Sequence, residues 1–551
     1  MMDDSNDYKN SSDSLSYREG ERLAGDKETE PLKLKSLDLE ITEKDHGGEM
    51  AYEPTLIDHE DTVLPRWLYL YLYPPKVPRE CQMLRIENLA VPCCYLLVGI
   101  LQGLQGPFTN VYPLDLGATE AQQMTVSTIR SIPASFKLLF GFTSDNFPIL
   151  GYRRKSYMFI GWLMAGISMA ILMAFSDLSS PKEEIPEGAP SMPFLSLCML
   201  FFGTGFWLAD VMGDSIVAEK AKLEIEKGHI QSMCYACRFF GLMTAAPLST
   251  FMYSFIGPHS IVFLMSLLPL AILPTLWFLS EVRDAPVKPT KEQCGEIWNT
   301  VCSRAVWQPM GFVYLYNLLQ VSNGAWKNFQ KVVLGLTSDQ LNMILNVAYV
   351  LLYVGVVAYK NFFINWSWRS VYIGTTLLNA IFSFLQILLI FDITFGLSYF
   401  WFSLGDDALA EFVGGIQFLP TTIMMVHLCP AGSEGASYAM FTTVNNSALN
   451  LSSAISTRLL AIWDVSLEVL QAGETSGMVN LTVLTTVLQL SGILFVGLLP
   501  RTKEDLAKLD ESSSRSSTGG AIFLLITFCS VIYAITIAAL NIVAPGWSGE
   551  S

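Results

Sequence analysis

The sequence predicts an all-α membrane protein built from two six-helix halves of the same topology, followed by one extra helix at the carboxyl terminus. Three observations support this fold class. Only 15% of the 551 residues are charged, whereas a soluble protein has about 25%. Apolar stretches long enough to cross a membrane recur along the chain. Two groups of sequence motifs occur once in each half.

The amino-terminal 64 residues hold most of the net charge of −16, because they contain 18 Asp or Glu and 7 Lys or Arg. This composition predicts a disordered cytosolic tail at 1–64, and it excludes a nucleic-acid-binding segment. The tail has no apolar run of the kind that a cleaved secretory signal needs. A predicted interfacial segment, 65–88, follows, and its rings suit a membrane–water boundary: Trp67, Tyr69, Tyr71 and Tyr73.

Thirteen apolar stretches come next, each close to the ~20 residues that cross a hydrocarbon layer of about 30 Å. Six form a half over 89–280, and six form a second half over 308–499. The segment 281–307 is a predicted cytosolic linker, 500–520 is a polar linker, and 521–544 is the extra helix. The other spans are 89–109, 121–142, 156–176, 194–218, 231–256, 259–280, 308–325, 339–359, 370–391, 398–427, 435–461 and 478–499.

Basic residues set the predicted orientation. They cluster between spans 2 and 3, between spans 4 and 5, in the central linker, between spans 8 and 9, and after span 12. All these segments share one side of the membrane if the amino terminus lies there, and the positive-inside rule makes that side the cytosol. The thirteenth span then places the carboxyl terminus outside.

An internal repeat relates the two halves. Gln102, Gln105 and Gly106 are followed 218 residues later by Gln320, Asn323 and Gly324. A second pair of matching segments, which end at Asp210 and Asp406, is offset by 196 residues. Span 1 therefore corresponds to span 7, and span 4 corresponds to span 10. Parallel repeats of this kind are typical of secondary transporters, whose substrate sites lie near the membrane midplane between the halves.

Charges inside the predicted spans are the candidate functional residues, because a charge near the bilayer centre costs at least about 2.5–3.5 kcal/mol. Asp210 and Asp214 share one helix face, as do Asp407 and Glu411. These acids can load and release protons, and an arginine can bind a substrate carboxylate. Ion pairing between helices is an equally good interpretation. The candidate substrate-binding or coupling residues are Arg130, Asp210, Asp214, Arg238, Asp406, Asp407, Glu411, Asn445 and Asn446.

Two further charges are expected at the membrane boundary. Lys137 lies near the cytosolic end of the predicted span 121–142, where a lysine can extend its amino group into water. Glu219 lies just beyond the predicted end of span 4. Ten cysteines are present, and the Cys234 and Cys237 pair has no second pair or histidine cluster beside it. No metal site or cofactor is expected.

The loop after span 2 carries a motif with a physical meaning. It has Gly141, where helices can approach closely, Asp145, which can bond a helix terminus, and Gly151 before Arg153 and Arg154, which can latch helix ends in one conformation. This pattern looks like an elongated form of the major facilitator loop signature.

Several motifs in the same order make the chain resemble the folate–biopterin transporter family over roughly 90–500. They are the long form of this loop, the segment Ala209 to Glu219, Gly405 to Asp407 with Glu411, and Leu428 to Gly435 followed by Asn445 and Asn446. Two features depart from the family pattern. Ser156 stands where that family often has proline, and the thirteenth span and the 88 residues before span 1 have no match in it.

The resemblance implies a major facilitator fold and a carrier, not an enzyme, that moves folate or a related pterin by proton symport. Alternatives are a carrier of another small organic anion or amino acid, and a non-transporting receptor with a carrier-like fold. The expected partners are the substrate, membrane lipid and a coupling proton, with no nucleic acid, and a monomer is expected. The plasma membrane is the first choice of location, with the plastid envelope and the vacuole as alternatives.

Overall fold

A computed structural model gives the structure of 35–41, 52–58, 78–116, 126, 129–179, 186–223, 228–287, 289–323, 325–429, 434–459, 462–463, 465, 467–511 and 514–543. Within the predicted acidic tail, strands β1 (Lys35–Ile41) and β2 (Tyr52–Asp58) pair antiparallel, with Lys35 opposite Asp58. The rest of that tail, and the predicted interfacial segment up to residue 77 with its four aromatic residues, lie outside the described residues.

In its described residues, the first half contains six main helices. They are α1 (Ala90–Asn110), α2 (Lys137–Asn146), α3 (Lys155–Phe175), α4 (Met192–Lys220), α5 (His229–Phe255) and α6 (Pro258–Ala271). Short elements extend or connect them, namely the 3-10 turns Arg79–Cys81, Ile132–Phe136 and Ala221–Leu223 and the helices Tyr112–Asp115 and Leu273–Trp277.

The second half repeats this arrangement with α7 (Arg304–Leu319), α8 (Ser338–Ala358), α9 (Trp368–Ile390), α10 (Tyr399–Leu428), α11 (Glu434–Leu459) and α12 (Ser476–Ser491). Its shorter elements are the helices Trp326–Val332 and Leu467–Gln471, the π-helical turn Tyr359–Phe363 and the 3-10 turn Gly492–Leu498. A linker helix, Thr290–Cys302, precedes the half, and the helix Lys503–Glu511 and a thirteenth long helix, α13 (Ser517–Val543), follow it.

The predicted helical architecture is confirmed in the described residues, since each half has six main helices in the same order and one further long helix follows them. Eight helices in the described part of the chain are long and apolar enough to cross a membrane. Of the other main helices, α2 and α7 are too short to meet that criterion, with 10 and 16 residues, whereas α5 and α11 are long enough but more polar. All four contribute polar side chains to the central cavity described below. Polar residues inside a membrane face the interior of a bundle, which lowers the mean hydropathy of the helices that carry them.

Small residues set the close packing inside each half. A Cβ added to Gly161 of α3 would lie 2.7 Å from the carbonyl oxygen of Gly205 on α4. A Cβ on Gly415 of α10 would lie 2.3 Å from the carbonyl oxygen of Leu352 on α8. Between the halves, α2 packs against α11 and α5 packs against α8. Such close backbone contacts are the usual way in which membrane helices associate.

Two predicted spans differ from the helices in a way that matters for function. Helix α2 continues to Asn146, four residues past the predicted end of span 2, and the 3-10 turn Ile132–Phe136 precedes it. Helix α7 begins at Arg304, where the Ser303 side chain accepts a hydrogen bond from the Ala305 amide, and it ends at Leu319. The predicted span 308–325 is therefore shifted toward the carboxyl end of the true helix.

Candidate functional site

A central cavity of about 440 Å³ lies between the two halves. Ligand cavities in proteins have volumes of roughly 300–1,000 Å³, so this one is large enough for a small organic molecule. The first half lines it with side chains of α1, α2, α4 and α5, among them Gln102, Lys137, Trp207, Asp214, Tyr235 and Arg238. The second half contributes side chains of α7, α9, α10 and α11, among them Tyr316, Tyr372, Gln417, Thr421, Asn445 and Asn446.

The first-half wall of the cavity is built around Asp210. One carboxylate oxygen of Asp210 accepts from Lys137 Nζ at 2.8 Å, and the other accepts from Arg238 Nη1 at 3.1 Å. Asp210 is buried. Because both cations pair with this one carboxylate, its single negative charge offsets only part of their combined positive charge. Arg238 Nε also donates to Gln102 on α1 at 3.3 Å. A Cβ on Gly99 would lie 1.8 Å from the Arg238 carbonyl oxygen, so the α1–α5 contact fixes this arginine.

The expectation that Lys137 extends to the membrane boundary is wrong. Lys137 is only 4% exposed. Its amino group pairs with Asp210, and its Nζ lies 4.4 Å from the centre of the Trp207 ring. Because α2 runs on to Asn146, Lys137 lies nine residues, or roughly 14 Å at about 1.5 Å per residue, from the end of the helix. Lys137 is therefore part of the cavity wall.

Asp214 lies one turn beyond Asp210 on α4 and is buried as well. The Tyr95 hydroxyl of α1 donates to its carboxylate at 2.5 Å. Tyr95 packs edge-on against Tyr235, with ring centres 5.3 Å apart. A buried acid that lines the cavity and bonds a tyrosine, rather than a cation, can exchange a proton without breaking an ion pair.

The second-half wall is polar but neutral. Gln417 of α10 donates to the Tyr316 hydroxyl of α7 and to Thr375 of α9, both at 2.8 Å. The Tyr372 hydroxyl of α9 bonds the Thr421 hydroxyl of α10.

The two predicted asparagines belong to the same wall. Asn317 of α7 donates to Asn445 of α11 at 2.7 Å, and Asn445 contacts Asn446 at 3.5 Å. These groups can donate to or accept from a ligand, and their own bonds tie α7, α9, α10 and α11 together.

A tyrosine contact closes the cavity toward the predicted cytosolic end. The Tyr438 hydroxyl of α11 accepts from Gln231 of α5 at 3.0 Å and lies 3.3 Å from the Tyr235 hydroxyl. Along α5, Gln231 and Tyr235 precede Arg238, so the contact lies between the charged wall and the predicted cytosolic end. A Cβ on Gly228, just before α5, would lie 2.5 Å from the Ile423 side chain of α10.

Nearer that end, the loop motif holds the halves together. Asp145 accepts a 2.8 Å hydrogen bond from the Ala436 amide in the first turn of α11, where the helix dipole favours an anion. Arg154 forms an ion pair with Asp145 and bonds Glu219 at 2.8 Å. A Cβ on Gly141 would lie 2.4 Å from the Gly435 carbonyl oxygen. We call Asp145, Arg154 and Glu219, with their contact to α11, the cytosolic latch.

The turn after α2 sets the positions of Arg153 and Arg154. Gly151 has a φ of +82° in a tight turn closed by hydrogen bonds between Ile149 and Tyr152. Directly after it, the Arg153 and Arg154 amides both donate to Glu281, at 2.8 and 2.9 Å. That carboxylate thus caps the start of α3. Arg153 itself approaches Glu219 at 4.0 Å.

The remaining predicted site residues lie away from the lining of the central cavity. The Arg130 carbonyl contacts Gly203 of α4 closely, and Nε of Arg130 is buried without a hydrogen-bond partner among the described residues. Asp407 accepts from Trp326 at 3.1 Å and from Gln330 at 2.6 Å.

The two other acids of α10, Asp406 and Glu411, differ in burial. Asp406 is buried in the second half, with Gln386 of α9 as its polar neighbour. Glu411 is exposed one turn before Gly414, which lines the cavity. Both lie in the part of α10 that is predicted to be nearer the outside.

Sequence reasoning missed the tyrosines Tyr95, Tyr235, Tyr316, Tyr372 and Tyr438. A tyrosine in an apolar span is typical of ordinary packing, so each one alone carries no signal. Three of them lie on α5, α7 and α11, which are more polar or shorter than the other spans, and this recurrence was the available indication.

Two halves around a polar cavity that is closed at one end define a membrane transporter of the major facilitator type. The solved structure of the proton:xylose symporter XylE, bound to 6-bromo-6-deoxy-D-glucose, is similar in fold, with a TM-score of 0.55 over 77% of this chain and 98% of that one at 13% identity. The BT1 family model matches residues 102–518. The chain belongs to the BT1 family.

Two curated relatives are similar in sequence. The folate-biopterin transporter of Synechocystis sp. (strain ATCC 27184 / PCC 6803 / Kazusa) is 26% identical over 422 residues, which cover 75% of this chain and 82% of that protein. The probable folate-biopterin transporter 2 of Arabidopsis thaliana is 23% identical over 437 residues, which cover 75% and 83%.

Proposed function

We propose that this chain imports folate or a related pterin together with protons, as a monomer in the plasma membrane. The observation that carries the proposal is the two-sided cavity, with cations on one wall and neutral hydrogen-bonding groups on the other. A folate has the matching parts, namely glutamate carboxylates and a flat, uncharged ring with several donors and acceptors. The names of the two relatives support the same substrate class.

Arg238 is the proposed anchor for a substrate carboxylate. Its guanidinium lines the cavity, and a guanidinium can hold a carboxylate through two parallel hydrogen bonds. Lys137 adds a second positive charge on the same wall. Across the cavity, Gln417 and Asn445 offer amides to a ring, and the Tyr316 and Tyr372 rings offer faces for stacking.

Asp214 is the proposed proton carrier. With Asp214 ionised, the charges of Lys137, Arg238, Asp210 and Asp214 cancel. With Asp214 protonated, one positive charge remains, which favours entry of an anion. Proton and anion therefore load together, and neither leaves a buried net charge.

Transport then requires the halves to rock around the cavity. The tyrosine contact at Tyr438 and the bond from the Ala436 amide to Asp145 both join the halves, and both have to break for release to the cytosol.

The test is uptake of radiolabelled folic acid into a folate-auxotrophic host that expresses the chain, at acidic and neutral outside pH. Asp214→Asn tests the coupling, and Asp177→Asn, at an exposed acid that bonds Ser179, is the matched control. We expect stronger uptake at acidic pH in the native chain and the control, and loss of that pH dependence in Asp214→Asn. No uptake, with the protein shown at the cell surface, overturns the folate assignment and favours another organic anion.

A further inference from the structure

A second, smaller cavity of about 240 Å³ lies beside the central one. The two cavities share Trp207 of α4 and Asn446 and Leu449 of α11 as common lining. The rest of this side cavity is formed by Ser131, Ala134, Thr443, Ser447, Asn450 and Val531. A ligand in the central cavity is therefore separated from the side cavity only by these shared side chains.

Helix α13, which a twelve-helix carrier lacks, contributes Val531 to the lining of the side cavity. Helix α13 packs along α11, α7 and the linker helix, and it reaches the 3-10 turn Ile132–Phe136 of the first half. The hydroxyls of Ser530 and Tyr314 are 2.9 Å apart, and the Ser516 amide donates to the Cys302 carbonyl at 2.8 Å. The helix is thus fixed to the second half and lies across the contact between α2 and α11.

The lining of the side cavity differs chemically from the charged wall. Its polar side chains are hydroxyls and amides, and none of its lining residues in the described part of the chain is ionisable. The Trp207 ring separates it from Lys137, whose amino group lies over that ring. This lining fits a flat, uncharged group that forms hydrogen bonds, and it does not fit a carboxylate.

We propose that the side cavity, lined in part by α13, is a second substrate compartment that holds the far edge of the uncharged ring of an elongated anion, while the near part of that ring lies against the neutral wall and the carboxylate end binds at Arg238 and Lys137. The inference rests on the proposed function, because it divides that substrate between two compartments. It adds a role for α13 and predicts which substrates need this helix.

The binding test uses a substitution on α13 that fills the side cavity, because the described residues of α13 do not line the central cavity. Val531→Trp adds a bulky ring to the lining, and Leu525→Trp adds the same ring on an exposed face of the same helix. Binding of folic acid and of p-aminobenzoylglutamate, which lacks the pterin ring, is measured on purified full-length protein. We expect Val531→Trp to weaken folic acid at least tenfold and to leave p-aminobenzoylglutamate within twofold, and Leu525→Trp to change neither.

Ser447→Leu fills the same space from α11 and should reproduce the Val531→Trp pattern if the latter variant does not fold. Equal weakening of both ligands, or unchanged folic acid binding in a folded variant, overturns the proposal.

A second measurement does not depend on the substrate. Ser447→Cys places a thiol in the side cavity, and its reaction with 2-aminoethyl methanethiosulfonate is read at residue 447 by peptide mass spectrometry. We expect reaction through the central cavity, slowed at least tenfold by Val531→Trp and unchanged by Leu525→Trp. An unreactive thiol shows that the two cavities are not continuous and overturns the compartment, whereas a reactive thiol in a protein that binds neither ligand refutes the folate assignment alone.

Discussion

The two halves of this transporter surround one cavity with opposite chemistry. The first half supplies Lys137, Asp210, Asp214 and Arg238, whereas the second half supplies hydroxyls and amides. The same contrast recurs at the cytosolic latch, where Asp145 of the first half accepts from a backbone amide of the second. The ion pairs of both places therefore join residues within the first half.

This division has a physical rationale in a molecule whose halves move. An ion pair across the moving interface would have to be broken in every cycle, leaving uncompensated buried charges at a cost of about 3–5 kcal/mol. An ion pair inside one half moves with that half. A neutral hydrogen bond across the interface costs only about 0.5–1.5 kcal/mol to exchange for water.

The largest expected difference between the two halves is at the two aspartates that correspond in the repeat, Asp210 and Asp406. Asp210→Asn leaves two buried cations with no carboxylate between them, and we expect a loss of about 3–5 kcal/mol of stability and of all uptake. In Asp406→Asn, a buried carboxyl that forms no salt bridge among the described residues becomes an amide, and we expect stability within about 1 kcal/mol. Thermal melting in detergent compares them, and equal destabilisation would contradict the asymmetry.

These aspartates also show how far sequence reasoning reaches. The repeat predicted that α4 and α10 correspond, because matched spacing through whole segments reflects backbone architecture. It could not predict that Asp210 meets two cations while Asp406 meets Gln386, since the partners come from other helices. The assignment of Lys137 to the membrane boundary failed because hydropathy ended span 2 four residues early.

The fold and the latch were easier to predict than the cavity. Apolar length and basic loops determine how many helices form and which ends they share, and the Gly141 to Arg154 motif is local in sequence. Only Asn445 and Asn446 of the neutral wall were predicted as candidates. Tyr316 and Gln417 were not, because neither has an unusual property in a membrane helix until the other helices place it beside a cavity.

The next largest effect should come from the anchor on the charged wall. Arg238→Gln keeps the polarity but removes the charge that meets a substrate carboxylate. A hydrogen bond to a charged group contributes about 1.5–3 kcal/mol, so we expect KM for folate uptake to rise at least about tenfold. Uptake of biopterin, which has no carboxylate, should change less than twofold. Arg130→Gln is the control because Arg130 does not line the cavity, and an equal loss for both substrates in Arg238→Gln would indicate a structural role.

A smaller effect is expected at the latch, where a charge of the first half meets a neutral group of the second. Asp145→Asn keeps an acceptor for the Ala436 amide but loses the attraction to Arg154 and to the helix dipole. Opening toward the cytosol should become about 5- to 10-fold more frequent, in line with about 1 kcal/mol for a charge at a helix terminus.

The measurement is the rate at which a cytosolic thiol reagent modifies Gln231→Cys, with and without Asp145→Asn. The reporter is buried at the tyrosine contact in the closed conformation, and its own effect cancels in the ratio. A ratio near one would mean that the latch does not limit opening.

The smallest effect should come from the neutral wall, where no single bond carries a charge. Tyr316→Phe removes a hydroxyl that accepts from Gln417 and lies 2.7 Å from Thr376, while the ring and its packing against Tyr372 remain. Each neutral bond contributes about 0.5–1.5 kcal/mol, and Gln417 keeps its bond to Thr375. We therefore expect KM for folate and for biopterin to rise by the same factor, about two- to fivefold, because both contain the ring that this wall is proposed to bind. A loss confined to folate would mean that the neutral wall also senses the carboxylates, and the division of labour between the halves would then be wrong.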